Sequence, residues 1–278
     1  MAISKEKLCL YSSVNPLRSS SREIIRAAHD IGVGGVELMS FCEELSTPDI
    51  TAARELADMA RGLGLKIPCF SVFADIENNG ESEIDRLSRY AEICAELSIP
   101  YFHHTVAPDL SAYSASTDER EQRFLRSLDS LLRFGEFVSS LGVKILIEDQ
   151  GFMLNGARNC RRICDASGGS IGILADIGNI FFVDEAPEQL LSEVGDSVCH
   201  VHVKDYSITK SRIEGKRNYV TLGGRIMNDT EIGTGDVNVA SSLSLLERIG
   251  YSGMYSLEFA KVSDGEVERV IRRITEEY

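Results

Sequence analysis

Short apolar runs and longer segments of helical spacing alternate along the whole chain. The runs fall at 7–12, 35–39, 66–72, 101–105, 143–148, 171–176, 199–204 and 254–258. They are short, rich in β-branched residues and bounded by turn formers, so they read as strands. Between them, segments such as 21–31, 49–63, 82–97, 118–141, 238–249 and 265–277 place apolar residues at the three- and four-residue intervals of an amphipathic helix. Several helix-to-strand joins carry a stop residue, as at Gly32, Gly64, Pro100, Gly142 and Gly250. Strand then helix, repeated eight times, predicts the α/β class with a parallel sheet. No low-complexity linker divides the 278 residues, and a closed barrel typically needs about 250. The expectation is one (β/α)8 TIM barrel domain over 1–278, ahead of a doubly wound open sheet. A dinucleotide-binding sheet would show glycines after the first run, where Tyr11 is followed by Ser-Ser-Val-Asn-Pro, and this disfavours a nicotinamide enzyme.

Charge narrows the partners. With 29 Lys+Arg against 43 Asp+Glu, the net charge is −14 and the sequence pI about 4.9, which opposes wholesale binding to nucleic acid or anionic membrane. No apolar stretch reaches the roughly 18 residues of a membrane span, and the first residues carry mixed charge rather than a secretion signal. The seven cysteines, 9, 42, 69, 94, 160, 164 and 199, contain no Cys-x-x-Cys pair, so buried reduced thiols in a cytoplasmic protein are expected. Small molecules are the expected partners, and a homo-oligomer is left open.

The last four apolar runs end in ionisable residues. Ile145-Leu-Ile-Glu148, Ile173-Leu-Ala-Asp176, His200-Val-His-Val-Lys204 and Tyr255-Ser-Leu-Glu258 put them at the carboxyl ends of strands, where barrels of this kind build active sites. Alternation sets Glu148, Asp176 and Glu258 on the same strand faces as Leu146, Leu174 and Ser256, and groups His200, His202 and Lys204. If those faces line the interior, three carboxylates converge and need a cation to stay ionised together. Glu148, Asp176, His202 and Glu258 offer oxygen donors and one imidazole, which suits Mn²⁺ or Mg²⁺ and is compatible with Zn²⁺ or Co²⁺. Taken singly, Asp176 also reads as a turn residue, and Glu148 or Glu258 as a rim carboxylate.

Gly34-Gly-Val-Glu37-Leu, Ile147-Glu148-Asp, Asp176-Ile-Gly-Asn179, His202-Val-Lys-Asp205, Gly233-Thr-Gly-Asp236-Val and Gly250-Tyr-Ser-Gly253 followed by Ser256-Leu-Glu258 together resemble the xylose isomerase-like TIM barrels. The likeness is to the sugar phosphate isomerase/epimerase group, with its ketose 3-epimerases, hydroxypyruvate isomerase and inosose dehydratase, and it spans nearly the whole chain. The resemblance implies that Glu148, Asp176, His202 and Glu258 hold one divalent metal ion. It also implies that Glu148 and Glu258 act as acid and base on a sugar, keto-sugar or sugar phosphate. The implied chemistry is isomerisation or epimerisation by proton abstraction beside a carbonyl, through an enediolate held by the cation. An inosose-type dehydratase or a non-catalytic sugar-binding subunit are the alternatives. Asn179 stands where the family often has histidine, and Asp149-Gln150 where it often has Asn-His, which leaves the substrate open. The apurinic endonucleases of the same superfamily are a poor match, because they imply a richer His and Glu cluster than five histidines furnish.

Lys204, Asn179, His104, Glu37 and Arg217 are the candidate substrate-binding residues. Segment 204–225 holds six basic residues, Lys204, Lys210, Arg212, Lys216, Arg217 and Arg225, against Asp205 and Glu214. It reads as an anion-binding loop or mobile lid, with Gly223, Gly224, Gly233 and Gly235 as flex points. An ordinary solvated loop is the plainer alternative. Of the pair His103-His104, alternation admits one to the cavity, and His104 is the one chosen. Glu37 reads as a cavity residue or as half of a fixed salt bridge.

Overall fold

The computed structural model describes residues 3–11, 20–107, 110, 112–215, 217–259 and 265–278. Twelve strands are present among them: β1 Leu8–Tyr11, β2 Gly35–Val36, β3 Leu38–Met39, β4 Cys69–Val72, β5 Tyr101–His104, β6 Lys144–Glu148, β7 Ile171–Asp176, β8 Val198–Val203, β9 Tyr206–Thr209, β10 Asn218–Val220, β11 Ile226–Asp229 and β12 Tyr255–Glu258. Nine form one parallel sheet in the order β2-β1-β12-β8-β7-β6-β5-β4-β3. Its two ends are consecutive in sequence. β2 and β3 are halves of one barrel strand, broken only at Glu37, with β2 paired to β1 and β3 to β4. The sheet therefore closes, and the eight anticipated strands form a (β/α)8 barrel.

Small differences have local causes. Lys66 already pairs with Gly35, as expected, but the continuous strand β4 begins only at Cys69, beyond Pro68, which has no N–H to give the ladder. Residues 5–7 form a single tight helical turn before β1, and the expected end of that strand at Ser12 lies outside the described residues. Helices follow the strands and present apolar stripes to the sheet. In Ile50–Gly62 the buried residues are Ala53, Leu56, Ala57 and Ala60, a spacing that keeps one face inward. The Asp49 side chain caps this helix, accepting from the Thr51 and Ala52 amides at 2.8 and 3.1 Å. Two further helices, Ala157–Ser167 and Pro187–Val194, complete the wall after β6 and β7. No helix among the described residues is long and apolar enough to cross a membrane.

Alternation sorts the barrel interior into layers. Cys69, Leu146 and Leu174 form a small apolar cluster at the base. Two residues on along the same strands come Ser71, Glu148 and Asp176, so the interior turns polar toward the carboxyl ends. Parallel register brings those ends together, pairing Asp176 with His202, His202 with Ser256 and Glu258 with Tyr11.

The segment after β8 is not the open loop that its composition suggests. β9, β11 and β10 form an antiparallel sheet that packs on the turn after β7, with Phe182 edge-on to Tyr206 and Tyr219 at 5.9 and 5.2 Å. The Leu222 amide donates to the Phe182 carbonyl at 2.7 Å, and Arg225 pairs with Asp184 at 2.6 Å. Gly233 and Gly235, expected to flex, are pinned instead: both amides donate to Asp205 Oδ2, at 2.9 and 2.8 Å. A side chain at Gly235 would meet Asp205 Oδ1 at 2.3 Å and the Tyr206 carbonyl at 2.5 Å, so glycine here serves close approach.

Candidate active site

Glu148, Asp176, His202 and Glu258 sit at the ends of β6, β7, β8 and β12, all buried, each with one ligand atom within 4.8 Å of the others. Neighbours fix each side chain. Asp176 Oδ1 accepts from the Gly178 and Asn179 amides at 2.8 and 3.1 Å, while Oδ2 is buried without a hydrogen-bond partner. Glu148 Oε1 accepts from Asn179 Nδ2 at 2.9 Å. Glu258 Oε1 accepts from Lys204 Nζ at 2.6 Å. His202 Nδ1, likewise without a hydrogen bond, lies 3.2 Å from Glu258 Oε2 and 3.8 Å from Glu148 Oε1.

The electrostatics of this cluster are frustrated. Burial lifts Asp176 well above an ordinary carboxylic acid, with Lys204 opposing and the Glu258 and Glu148 charges adding to the lift. Burial also opposes ionisation of Glu258, but Lys204 and His202 outweigh it and bring its pKa down to about 2. Burial opposes the charge of His202 too, but Glu37 and Glu258 outweigh it and hold its pKa well above an ordinary imidazole, so two cations, Lys204 and His202, face three carboxylates. Hard oxygens, one imidazole nitrogen and two buried atoms without hydrogen-bond partners, Asp176 Oδ2 and His202 Nδ1, form a donor set that fits a divalent cation. A Mg²⁺- or Mn²⁺-type ion favours such oxygen-rich sets, and the imidazole also admits Zn²⁺ or Co²⁺.

Above the cluster opens a cavity of about 600 Å³. Lys204, Asn179, Glu148 and Glu258 line it, with Arg217, Tyr206 and Tyr219 on the side of the antiparallel sheet and Phe41 and Phe73 across from them. Arg217 is exposed at the rim and donates to the Tyr219 hydroxyl at 3.3 Å. Lys210 and Arg212 are exposed outside the lining, and Arg225 is taken by Asp184. Lys216 lies outside the described residues.

Two expected cavity residues are placed elsewhere. His104 turns outward, its ring 5.7 and 5.4 Å from those of Phe102 and Phe134 and its Nδ1 against the Thr105 carbonyl at 3.0 Å. The cavity histidine is His103, whose Nε2 lies 3.5 Å from Glu148 Oε2 and whose Nδ1 contacts Ser71 Oγ at 2.9 Å. Burial takes both imidazoles down to about 4. Glu37 lies beneath the cavity, only 1% exposed. It accepts from His202 Nε2 at 3.1 Å, His200 Nε2 at 3.1 Å, Ser256 Oγ at 2.7 Å and Ser71 Oγ. Burial works against its charge, yet His202 and His200 hold it well below an ordinary glutamic acid. Tyr206 was not anticipated; its hydroxyl donates to Asn179 Oδ1 at 3.1 Å and so orients the amide that holds Glu148.

The family model described as a xylose isomerase-like TIM barrel matches residues 25–275. No curated protein matches the sequence. Among solved structures, the chain is similar to the probable 3-DHS dehydratase involved in petrobactin synthesis from Bacillus anthracis, with a TM-score of 0.74, 17% identity and 98% and 100% of the two chains covered. It is similar to 3-keto-D-glucoside 4-epimerase from E. coli, with a TM-score of 0.71, 15% identity and 95% of each chain covered. It also resembles a xylose isomerase-like TIM barrel protein from Mycobacterium smegmatis in complex with magnesium, with a TM-score of 0.70, 13% identity and coverage of 99% and 97%. At such identities the likeness shows the fold.

Proposed function

The chain belongs to the xylose isomerase-like TIM barrel family, and from that premise we propose that it is a divalent-metal-dependent isomerase or epimerase of sugars, keto-sugars or sugar phosphates. The observation that carries this reading is the meeting of Glu148, Asp176, His202 and Glu258 within 4.8 Å at the mouth of the barrel. Solved structures of similar fold include a sugar epimerase, a probable dehydratase and a magnesium complex, which is in keeping with it. The chain acts as one barrel domain in the cytoplasm, in keeping with seven free cysteines.

Glu148, Asp176, His202 and Glu258 would hold the ion, Mn²⁺ or Mg²⁺ by preference. When bound, such a cation supplies Lewis-acid polarisation of a carbonyl and stabilisation of the charge that develops on its oxygen. The protein supplies the rest. Asn179 and Lys204 each fix one oxygen of a glutamate, so Glu148 and Glu258 are held in place to take and return a proton at the carbon beside the carbonyl. Removal by one glutamate and return by the other gives an epimer. Return at the neighbouring carbon gives the aldose-ketose isomer. Arg217, at the cavity rim, binds an anionic group of the substrate, and the aromatic wall sheds water from the reacting carbons.

The test is a screen of ketoses, their phosphates and inososes with Mn²⁺-reconstituted enzyme in heavy water, followed by NMR. Deuterium should enter the substrate beside the carbonyl during turnover. Full turnover without any such exchange would refute proton abstraction, and a vinylic product signal would replace isomerisation by dehydration.

A further inference from the structure

We propose that Glu37 is a positioning residue that fixes, by hydrogen bonds alone, which ring nitrogen of His202 and of His103 holds its proton below the site, so that His202 Nδ1 and His103 Nε2 are the nitrogens left to face the site above. An ionised carboxylate only accepts, and Glu37 faces four donors: Ser71 Oγ, Ser256 Oγ, His200 Nε2 and His202 Nε2. His202 must therefore carry its proton on Nε2, 3.1 Å from Glu37 Oε2. Its Nδ1 is then the nitrogen left for the site, 3.2 Å from Glu258 Oε2, with which it pairs while it holds a proton, and 3.8 Å from Glu148 Oε1; a cation bound there would displace that proton. Carboxylate, imidazole and cation in a row is an arrangement that fixes ring orientation and raises ligand basicity.

The same logic passes through Ser71. Its single hydroxyl proton goes to Glu37, so its oxygen can only accept from His103 Nδ1 at 2.9 Å. His103 thus bears its proton on Nδ1 and turns a bare Nε2 toward the cavity. Its contacts agree: Nε2 is buried without a hydrogen-bond partner, 3.5 Å from Glu148 Oε2. A substrate hydroxyl donating into this corner meets His103 Nε2 and Glu148 together, which makes His103 a specificity residue for a hydroxylated carbon. A single carboxylate under the floor thereby orients a cation ligand directly and a substrate acceptor through one serine.

The proposal rests on the cation reading only for the use made of His202 Nδ1. Its test is the long-range ¹H–¹⁵N spectrum of the metal-stripped, histidine-labelled protein above pH 7, with Mn²⁺ titrated separately. The expected result is His103 protonated on Nδ1 alone and His202 protonated on Nε2, with a second proton on its Nδ1 while Glu258 is the partner there. Ser71→Ala should release His103 into a mixture of tautomers and leave His202 as it was. Glu37→Gln should disturb both and weaken Mn²⁺ binding roughly 10- to 100-fold, with partial recovery in Glu37→Asp. Either wild-type tautomer reversed would overturn the proposal, as would Ser71→Ala with an unchanged His103, or a folded Glu37→Gln with unchanged Mn²⁺ affinity. If Glu37→Gln does not fold, the wild-type and Ser71→Ala spectra still decide. Correct tautomers in a protein that takes up no Mn²⁺ would count against the cation reading alone and support the tautomer assignment.

Discussion

Replacing Lys204 by methionine removes a buried cation from beside three carboxylates. Its Nζ lies 2.6 Å from Glu258 Oε1, and the two side chains are only 14% and 9% exposed. Breaking one partner of a buried pair leaves the other as an uncompensated charge, at a typical cost of about 3–5 kcal/mol. A barrel of this size shifts by a few degrees per kcal/mol, so the metal-free variant should melt roughly 10 °C lower. Glu258→Gln removes the stranded charge, and the double variant should recover most of the loss, giving a coupling energy of about 2–3 kcal/mol in a double-mutant cycle. Urea denaturation at pH 7.5 in EDTA measures all four proteins. Added Mn²⁺ should shrink the defect of the single variant, since the ion takes over as counter-charge. A loss within about 0.5 kcal/mol, or a coupling near zero, would refute the view that Lys204 holds this cluster together without metal.

Other outcomes follow from the same geometry. His104 is held from an ordinary 6.5 down to about 4, chiefly by burial, so its contribution to stability is fully present above about pH 6.5 and is lost as pH falls toward 4. His104→Gln should remove about 2–3 kcal/mol of the stability lost between pH 7.5 and 4.5, and identical urea midpoint slopes against pH would contradict this. Gly235→Ala, whose added carbon would collide with Asp205 and the Tyr206 carbonyl, should cost about 2–3 kcal/mol. Gly62→Ala, in a helix with nothing within 4 Å of the new carbon, should gain about 0.5–1 kcal/mol in the same thermal melts. Arg217→Ala should raise KM for a phosphorylated substrate about tenfold and leave a neutral sugar unaffected, whereas Arg212→Ala, outside the cavity lining, should change neither.

The site was legible where strand periodicity carried the information. Glu148, Asp176 and Glu258 each close an apolar run, His202 stands two residues before the end of another at Lys204, and a period of two decides their face once the base of the barrel is apolar, as Leu146 and Leu174 show. His103 and His104 were not separable that way, because no charged residue anchors β5 and either phase of Tyr-Phe-His-His is plausible in a strand covered on both sides. The deciding contact, Ser71, comes from β4, and cross-strand register is not written in one strand. Of the two readings of Glu37, cavity residue or fixed salt bridge, the structure has the second, and the sequence could not choose for a related reason. Glu37 sits at the break between β2 and β3 and faces His200, His202 and Ser256, far from it in sequence, so its role depends on closure of the barrel. Segment 204–225 hid its hairpins because short strands on a polar surface lack a buried face to give them a period. Gly233 and Gly235 looked like hinges for want of Asp205, the acceptor that pins them.

The central claim is that four side chains from four strands hold one divalent ion. Equilibrium dialysis of the metal-stripped protein against micromolar Mn²⁺, with the bound metal counted by mass spectrometry, tests it directly. One ion per chain is expected, lost in Asp176→Asn and in Glu258→Gln while Arg217→Ala retains it. No bound ion in the folded wild type, or an ion retained at full occupancy in both ligand variants, would contradict it.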